Sequence, residues 1–329
     1  MIYMKKLKIA QIGIGHDHGS MIFDSLKKQD TIFEVVGYAL TEKEEQDYGQ
    51  KLGCFDGFER LSMEEILNDP EIVAVTIETE EKNLTKYAIM AAEHKKHIHM
   101  DKPGGMVEAD FEKLLTICRE NNLILHMGYM YRYNPEIIQL MRAVKAGELG
   151  EIFAVEAQMG GIFPFTPEKR QWLEQFEGGI LFFLGCHMID LVLSIQGMPE
   201  RIIPLNKSTG LEGVSAKDYG MVIFEYPNGT SFIKTCAREV RGFDRRQLVV
   251  CGSKKTVEIK PLEFYERDGM HTEVTTYSGD ACERRVSEAY DRYDAMMASF
   301  AAMARGEKDN PWSYDYEWML YQCILKSCR

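Results

Sequence analysis

The N-terminal residues combine an apolar strand, a glycine turn and a helix in direct succession. Leu7-Lys8-Ile9-Ala10-Gln11-Ile12 has the composition of a buried strand, and Gly13-Ile14-Gly15-His16-Asp17-His18-Gly19 follows it at once. A helix is expected from Ser20 to Lys28. This order is the setting in which a glycine motif binds a dinucleotide, because the turn brings the backbone close to a pyrophosphate at the helix N-terminus. The chain is therefore expected to begin with a Rossmann domain.

The glycine spacing departs from G-x-G-x-x-G, since His18 replaces the third glycine and Gly19 lies one residue later. Gly13 permits the tight turn, and the backbone of Ile14 and Gly15 is expected to contact the cofactor. His16 and His18 are also candidate cofactor contacts, through phosphate oxygens. The alternative, that both are polar loop residues, stays open.

The second strand is expected at Phe33–Ala39, where an acidic residue usually follows to bind the adenosine ribose. Leu40 and Thr41 occupy that place, so the carboxylate is either missing or displaced to Glu42. Leu40 and Thr41 are expected beside the cofactor. The choice between NAD and NADP stays open.

A second constrained stretch is His97-Ile98-His99-Met100-Asp101-Lys102-Pro103-Gly104-Gly105. It follows a buried strand at Glu71–Ile77 and an amphipathic helix, and it predicts a short strand, His97–Met100, that ends at the proline and glycines. Ligands bind at the carboxyl ends of such strands. Asp101 and Lys102 are thus expected beside the cofactor, where a lysine can bind an anion, supply positive charge or transfer a proton.

The second half shows a different pattern, in which alternating strands dominate. Strands are expected at Ile152–Met159, Lys217–Tyr226, Thr230–Arg238, Arg246–Cys251 and Thr256–Ile259, and helices at Pro135–Ala146, Gly178–Ile195, 286–306 and 313–327. Pro227-Asn228-Gly229 predicts a hairpin turn. The predicted class is α/β. An N-terminal Rossmann domain with a doubly wound parallel sheet (1–127) precedes an α+β domain with a large, mostly antiparallel open sheet (128–329).

Composition excludes several classes of function. The formal net charge is −12 and no long basic run offsets it, which argues against nucleic acid or an anionic membrane as partner. No stretch approaches the roughly 18 uninterrupted apolar residues of a membrane span, so a cytoplasmic location is expected. Eight scattered cysteines without a C-x-x-C pair indicate reduced thiols. No metal site is expected, since His94, His97 and His99 run from a helix end into a strand and face different ways.

Three ordered motifs identify a family. Asp101-Lys102-Pro103 corresponds to E-K-P with Asp for Glu, and Tyr131-Arg132-Tyr133-Asn134-Pro135 contains R-[FY]-x-P. Gly178-Gly179-Ile180-Leu181-Phe182-Phe183-Leu184-Gly185-Cys186-His187-Met188-Ile189-Asp190 corresponds to G-G-x-L-x-D-x-G-x-H-x-x-D. With these motifs the chain resembles the glucose–fructose oxidoreductase, inositol dehydrogenase and MocA (Gfo/Idh/MocA) family over nearly its whole length.

The resemblance implies an enzyme that uses NAD or NADP to oxidise or reduce a sugar, polyol or related carbonyl compound. It implies that Lys102 acts at the reacting hydroxyl and that His187 shares the proton transfer. Arg132, Asp190 and Tyr131 would help to hold the substrate. By analogy, the protein is expected to form a homo-oligomer through its C-terminal sheet.

One departure from the family pattern affects the expected chemistry. Phe183 stands where the family usually has Asp, four residues before His187. It indicates a more apolar substrate pocket lined by Phe183, a rewired proton relay in which Asp190 is the partner of His187, or weakened turnover. Two alternatives to a dehydrogenase remain: the resemblance also allows a lyase or glycosidase that oxidises its sugar only transiently, and Phe183 allows a cofactor-binding sensor.

Overall fold

The structure, a computed structural model, describes residues 5–329 and forms two compact units. The first contains the residues up to Met130 together with Arg292–Trp318, and the second contains Tyr131–Asp291 and Met319–Arg329. The domains expected from sequence, 1–127 and 128–329, differ from these units at Arg292–Trp318, which joins the first unit. The helix in this segment buries Met296, Met297 and Phe300, and an apolar pattern alone does not say which core a helix enters.

The first unit is built on a six-stranded parallel sheet, which confirms the predicted doubly wound domain. Its strands are β1 (Leu7–Ile12), β2 (Phe33–Ala39), β3 (Glu59–Arg60), β4 (Ala74–Ile77), β5 (His97–Met100) and β6 (Leu125–Met127), in the order β3-β2-β1-β4-β5-β6. Its helices are α1 (Gly19–Lys28), α2 (Glu44–Asp47), α3 (Met63–Asn68), α4 (Leu84–Glu93), α5 (Glu108–Glu120) and α9 (Asp294–Ala304). The strand order reverses between β1 and β4, and such a switch point opens a crevice at the carboxyl ends of the strands.

The turn after β1 requires glycine for a steric reason. Gly13 has a φ of +87°, and a Cβ added there would lie 2.5 Å from Cγ2 of Thr79, in the segment that follows β4. The two segments therefore pack backbone to backbone at the crevice. This close approach places the residues after β1 beside those after β4.

The second unit contains an eight-stranded sheet in which every pairing is antiparallel except that of β7 with β10. Its sheet strands are β7 (Ile152–Gly160), β8 (Arg201–Pro204), β9 (Tyr219–Tyr226), β10 (Gly229–Cys236), β11 (Gln247–Gly252), β12 (Thr256–Ile259), β15 (Glu273–Ser278) and β16 (Ala281–Val286). The strands β13 (Phe264–Glu266) and β14 (Gly269–His271) form a separate hairpin. The helices are α6 (Pro135–Lys145), α7 (Pro167–Trp172) and α8 (Cys186–Gln196), and α10 (Tyr314–Cys328) ends in this unit. The mostly antiparallel sheet is confirmed.

Two helix predictions in this half were displaced. The helix expected from residue 286 begins only at Asp294, because Val286 ends the edge strand β16 and residues 287–293 form no helix; all six residues of this strand are exposed, so it shows no apolar alternation. The helix expected from Gly178 starts as a π-helical turn, Leu181–Gly185, before α8.

Within residues 5–329, no helix combines the length and apolar character needed to cross a bilayer. All eight cysteines lie in this range and are free thiols.

Candidate active site

The glycine turn of the first unit holds an anion supplied by the chain itself. The N–H groups of Ile14 and Gly15 both donate to Oε1 of Glu44, at 3.0 and 2.9 Å, and the N–H of Thr41 donates to Oε2 at 2.6 Å. Glu44 is buried although it is charged. These donors suit the oxygen atoms of a dinucleotide, since a carboxylate already occupies them.

Leu40 and Thr41 follow β2 directly, as predicted, but Glu42, the position suggested for a displaced carboxylate, does not provide the carboxylate at the turn. Glu42 is exposed, whereas Glu44 reaches the loop from the first turn of α2. The sequence analysis therefore missed Glu44. The sequence does contain an acidic residue two positions after Glu42, but periodicity does not show how the backbone of this segment runs, so the contact of Glu44 with the glycine turn could not be predicted.

Beside Glu44 the segments after β2 and β4 enclose a cleft of about 250 Å³. Oη of Tyr48 donates to Oε1 of Glu80 at 2.5 Å, and burial raises the pKa of Tyr48, so its hydroxyl stays protonated. The cleft combines two aromatic side chains with residues of both charges; its lining is Thr41, Glu42, Lys43, Glu44, Asp47, Tyr48, Glu80, Lys82, Asn83, Lys86 and Tyr87.

Lys102 and Asp101 lie buried at the end of β5. Lys102 is 1% exposed, and its N–H donates to Oδ1 of Asp101 at 2.7 Å. Oδ2 of Asp101 lies 3.0 Å from Nδ1 of His18 and 3.2 Å from Nδ1 of His16. Burial lowers the pKa of His16 to about 4, so its ring is neutral at pH 7. The structure thus brings His16 and His18 together with Asp101.

In the second unit, His187 lies on α8 and is 1% exposed. The ring of Tyr131 meets it edge to face, with centroids 5.5 Å apart. Oη of Tyr131 donates to Oε1 of Glu263 at 2.6 Å and accepts from Nη1 of Arg246 at 3.1 Å, and Arg246 also pairs with Glu263. This buried network fixes Tyr131 against His187. No motif marked Arg246 or Glu263, because each acts through a long-range contact.

Asp190 forms a two-point pair with Arg132. Its Oδ2 accepts from Nε of Arg132 at 2.9 Å and its Oδ1 accepts from Nη2 at 2.8 Å, and both side chains are 1% exposed. The guanidinium fork matches a carboxylate at two points. Asp190 therefore holds Arg132 in place, and its role as partner of His187 in a rewired relay stays a prediction.

Phe183 lies among aromatic rings. Trp172 meets it edge to face at 5.3 Å, Phe176 stacks on it with centroids 6.3 Å apart, and Nζ of Lys169 lies 5.1 Å from its centroid. Phe183 is 2% exposed. Of the three interpretations of this residue, apolar surroundings agree best with these contacts.

Comparison with known proteins adds two family matches. The model of the oxidoreductase family with an NAD-binding Rossmann fold matches residues 7–129, and the model of the GFO/IDH/MocA C-terminal domain matches residues 137–258. Among curated relatives, myo-inositol 2-dehydrogenase of Thermotoga maritima is 23% identical over 256 residues, covering 75% of this chain and 73% of the relative.

Two solved structures share the fold. One is KijD10, a 3-ketoreductase from Actinomadura kijaniata in complex with NADP and TDP-benzene, with a TM-score of 0.81, 16% identity and coverage of 97% of this chain and 96% of that one. The other is aldose-aldose oxidoreductase from Caulobacter crescentus complexed with glycerol, with a TM-score of 0.81, 18% identity and coverage of 99% and 98%.

Proposed function

Because this chain belongs to the Gfo/Idh/MocA oxidoreductase family, we propose that it is an NAD(P)-dependent dehydrogenase or reductase of a sugar, polyol or related compound. The observation that supports this most directly is the buried Lys102 at the end of β5, in a domain with an anion-binding glycine turn. The relative that acts on an inositol and the structural neighbours named for ketone reduction and aldose chemistry favour a CH–OH group as the reacting centre.

The N–H groups of Ile14 and Gly15 would hold the dinucleotide once Glu44 shifts, and Leu40 and Thr41 would border its ribose. Tyr48 and Tyr87 would flank the adenine in the cleft after β2. The bound nicotinamide supplies or accepts the hydride.

We propose a preference for NAD over NADP, based on Glu44. A carboxylate in this place accepts hydrogen bonds from ribose hydroxyls and repels a 2′-phosphate. Three lysines line the same cleft, but Lys82 pairs with Glu80 at 2.6 Å. The buried carboxylate should therefore dominate the selectivity.

Lys102 would hydrogen-bond the reacting oxygen. Removing hydride from a carbinol carbon requires loss of the hydroxyl proton, and in the reverse direction the ammonium stabilises the developing alkoxide. His187 would share the proton transfer, since an imidazole titrates near neutral pH without much adjustment. The pair of Arg132 and Asp190 positions donors for substrate, and Phe183 contributes an apolar wall.

The test is a steady-state assay of the full-length protein with NAD(H) and NADP(H) against inositols, aldoses and their keto derivatives. We expect at least one substrate to change nicotinamide absorbance in proportion to product. Product without a net absorbance change would indicate the transient-oxidation chemistry instead. Tight cofactor binding without turnover over the whole panel would indicate a sensor.

We also propose a homo-oligomer formed through the eight-stranded sheet. Phe153 on β7, Tyr277 on β15 and Val286 on β16 are 44%, 39% and 53% exposed. Light scattering on the purified protein measures the assembly, and Phe153→Lys should shift it towards monomer.

A further inference from the structure

Three buried side chains meet at the ends of β4 and β5 in the first unit. Glu78 directly follows β4, His99 lies within β5, and Asp101 directly follows β5. All three are 0% exposed. One oxygen or nitrogen atom from each lies within 4.8 Å of the other two.

Some polar atoms of this group lack hydrogen bonds. Neither carboxylate oxygen of Glu78 accepts a hydrogen bond from residues 5–329, and Nε2 of His99 has no hydrogen-bond partner among them, whereas both oxygens of Asp101 lie within hydrogen-bond distance of other groups. Oε1 of Glu78 lies 3.7 Å from Nε2 of His99. A buried carboxylate without partners is costly, and native proteins retain such groups mainly where they bind something.

A contact with a second histidine orients the ring of His99. Its Nδ1 lies 2.8 Å from Nδ1 of His126, so one of the two nitrogens donates to the other. When His99 donates, its Nε2 carries a lone pair directed at Glu78. Phe300 stacks on His126 at 5.4 Å and holds that ring in turn. Histidine ligands of metals usually donate their second N–H to such a partner.

We propose that Glu78, His99 and Asp101 bind one divalent transition-metal ion of the zinc type. The mixed imidazole and carboxylate set suits Zn²⁺ and its neighbours better than Mg²⁺ or Ca²⁺, which prefer oxygen alone. A second group, His16, His18 and Asp101, is less suitable, because Nδ1 of His16 already accepts the N–H of His18 at 3.1 Å. The site adjoins Lys102, and metal binding there is measured separately from the proposed redox activity.

The test uses full-length protein from which any affinity tag has been removed. Elemental analysis after purification, and Co²⁺ titration after chelation and dialysis, should both give about one ion per chain. Glu78→Gln and His99→Gln should each weaken Co²⁺ binding by at least about tenfold. His94→Gln is the matched control, since His94 is exposed and bonds only its own helix, through Met90 O at 2.8 Å; it should bind as the wild type does.

Circular dichroism shows whether each variant is folded. If neither variant folds, X-ray absorption of the zinc-loaded wild type shows which atoms surround the metal and so decides whether these residues bind it. We expect only nitrogen and oxygen neighbours, with imidazole scattering. Sulfur neighbours, a wild type that binds no ion, or folded variants that bind like the wild type would each overturn the site.

Discussion

The two units treat buried charge in opposite ways. In the second, buried ions are paired at short range, as in Arg132 with Asp190 and Arg170 with Asp218, both at 2.8 Å. In the first, neither carboxylate oxygen of Glu78 accepts a hydrogen bond from residues 5–329, and within the same residues Glu44 accepts hydrogen bonds only from backbone N–H groups. Paired charges hold a scaffold in one geometry, whereas carboxylates without a cation partner mark where a ligand is expected.

The largest effect should come from the charged group closest to the proposed chemistry. Lys102→Met should lower turnover by about 10²–10⁴, because a positioned proton-transfer group is lost. Binding of NADH should stay within a fewfold, since the glycine turn holds the dinucleotide. Stopped-flow kinetics and a fluorescence titration measure the two quantities. Lys113→Met, at an exposed pair with Glu93, is the control; retained activity in the Lys102 variant would end the catalytic assignment.

A stability measurement tests the buried ion pairs of the second unit. Arg132→Met should reduce the free energy of unfolding by about 3–5 kcal/mol, because Asp190 is left buried without its partner. Arg201→Met, at an exposed pair with Glu225, should cost no more than about 1 kcal/mol. Denaturant unfolding measures the free energy of unfolding of both variants. Equal losses in the two variants would mean that the buried pair does not stabilise the fold more than an exposed pair does.

The aromatic surroundings of Phe183 predict that restoring the family's carboxylate does not help. Phe183→Asp should destabilise the protein by about 3 kcal/mol or more and should not raise dehydrogenase activity, because it places a charge and a cavity among rings. The control Phe183→Leu keeps an apolar side chain, so it should reduce the stability of the protein much less. Thermal unfolding and the substrate panel are the measurements. A gain of activity in the Asp variant would favour the weakened-enzyme interpretation.

The smallest effect concerns cofactor choice. Glu44→Gln keeps the shape and removes the charge, so affinity for NADPH relative to NADH should rise by about tenfold, or about 1.4 kcal/mol. Glu42→Gln, at an exposed neighbour, should leave the ratio unchanged. Dissociation constants for both cofactors decide this. An unmoved ratio in the Glu44 variant would remove Glu44 from the selectivity.

Strong periodicity explains what could be predicted from the sequence. The strand Leu7–Ile12 and the strand His97–Met100 were predicted at their observed bounds, because the first is mostly apolar and ends at Gly13, and the second follows an amphipathic helix and ends shortly before Pro103. The edge strand Ala281–Val286 was missed, since all its residues are exposed. The contacts of Glu44, His99 and Asp190 could not be foreseen, because each depends on segments that only the folded backbone brings together.

The return of α9 to the first unit has a consequence for biosynthesis. Oγ of Ser25 donates to Oδ1 of Asp294 at 2.8 Å, and Phe300 covers the ring of His126. A nascent chain leaving the ribosome therefore completes its earliest sheet before the helix that covers part of it has been translated. Until then Ser25 on α1 and the ring of His126 on β6 lack these contacts, and a chain truncated before Asp294 would never gain them.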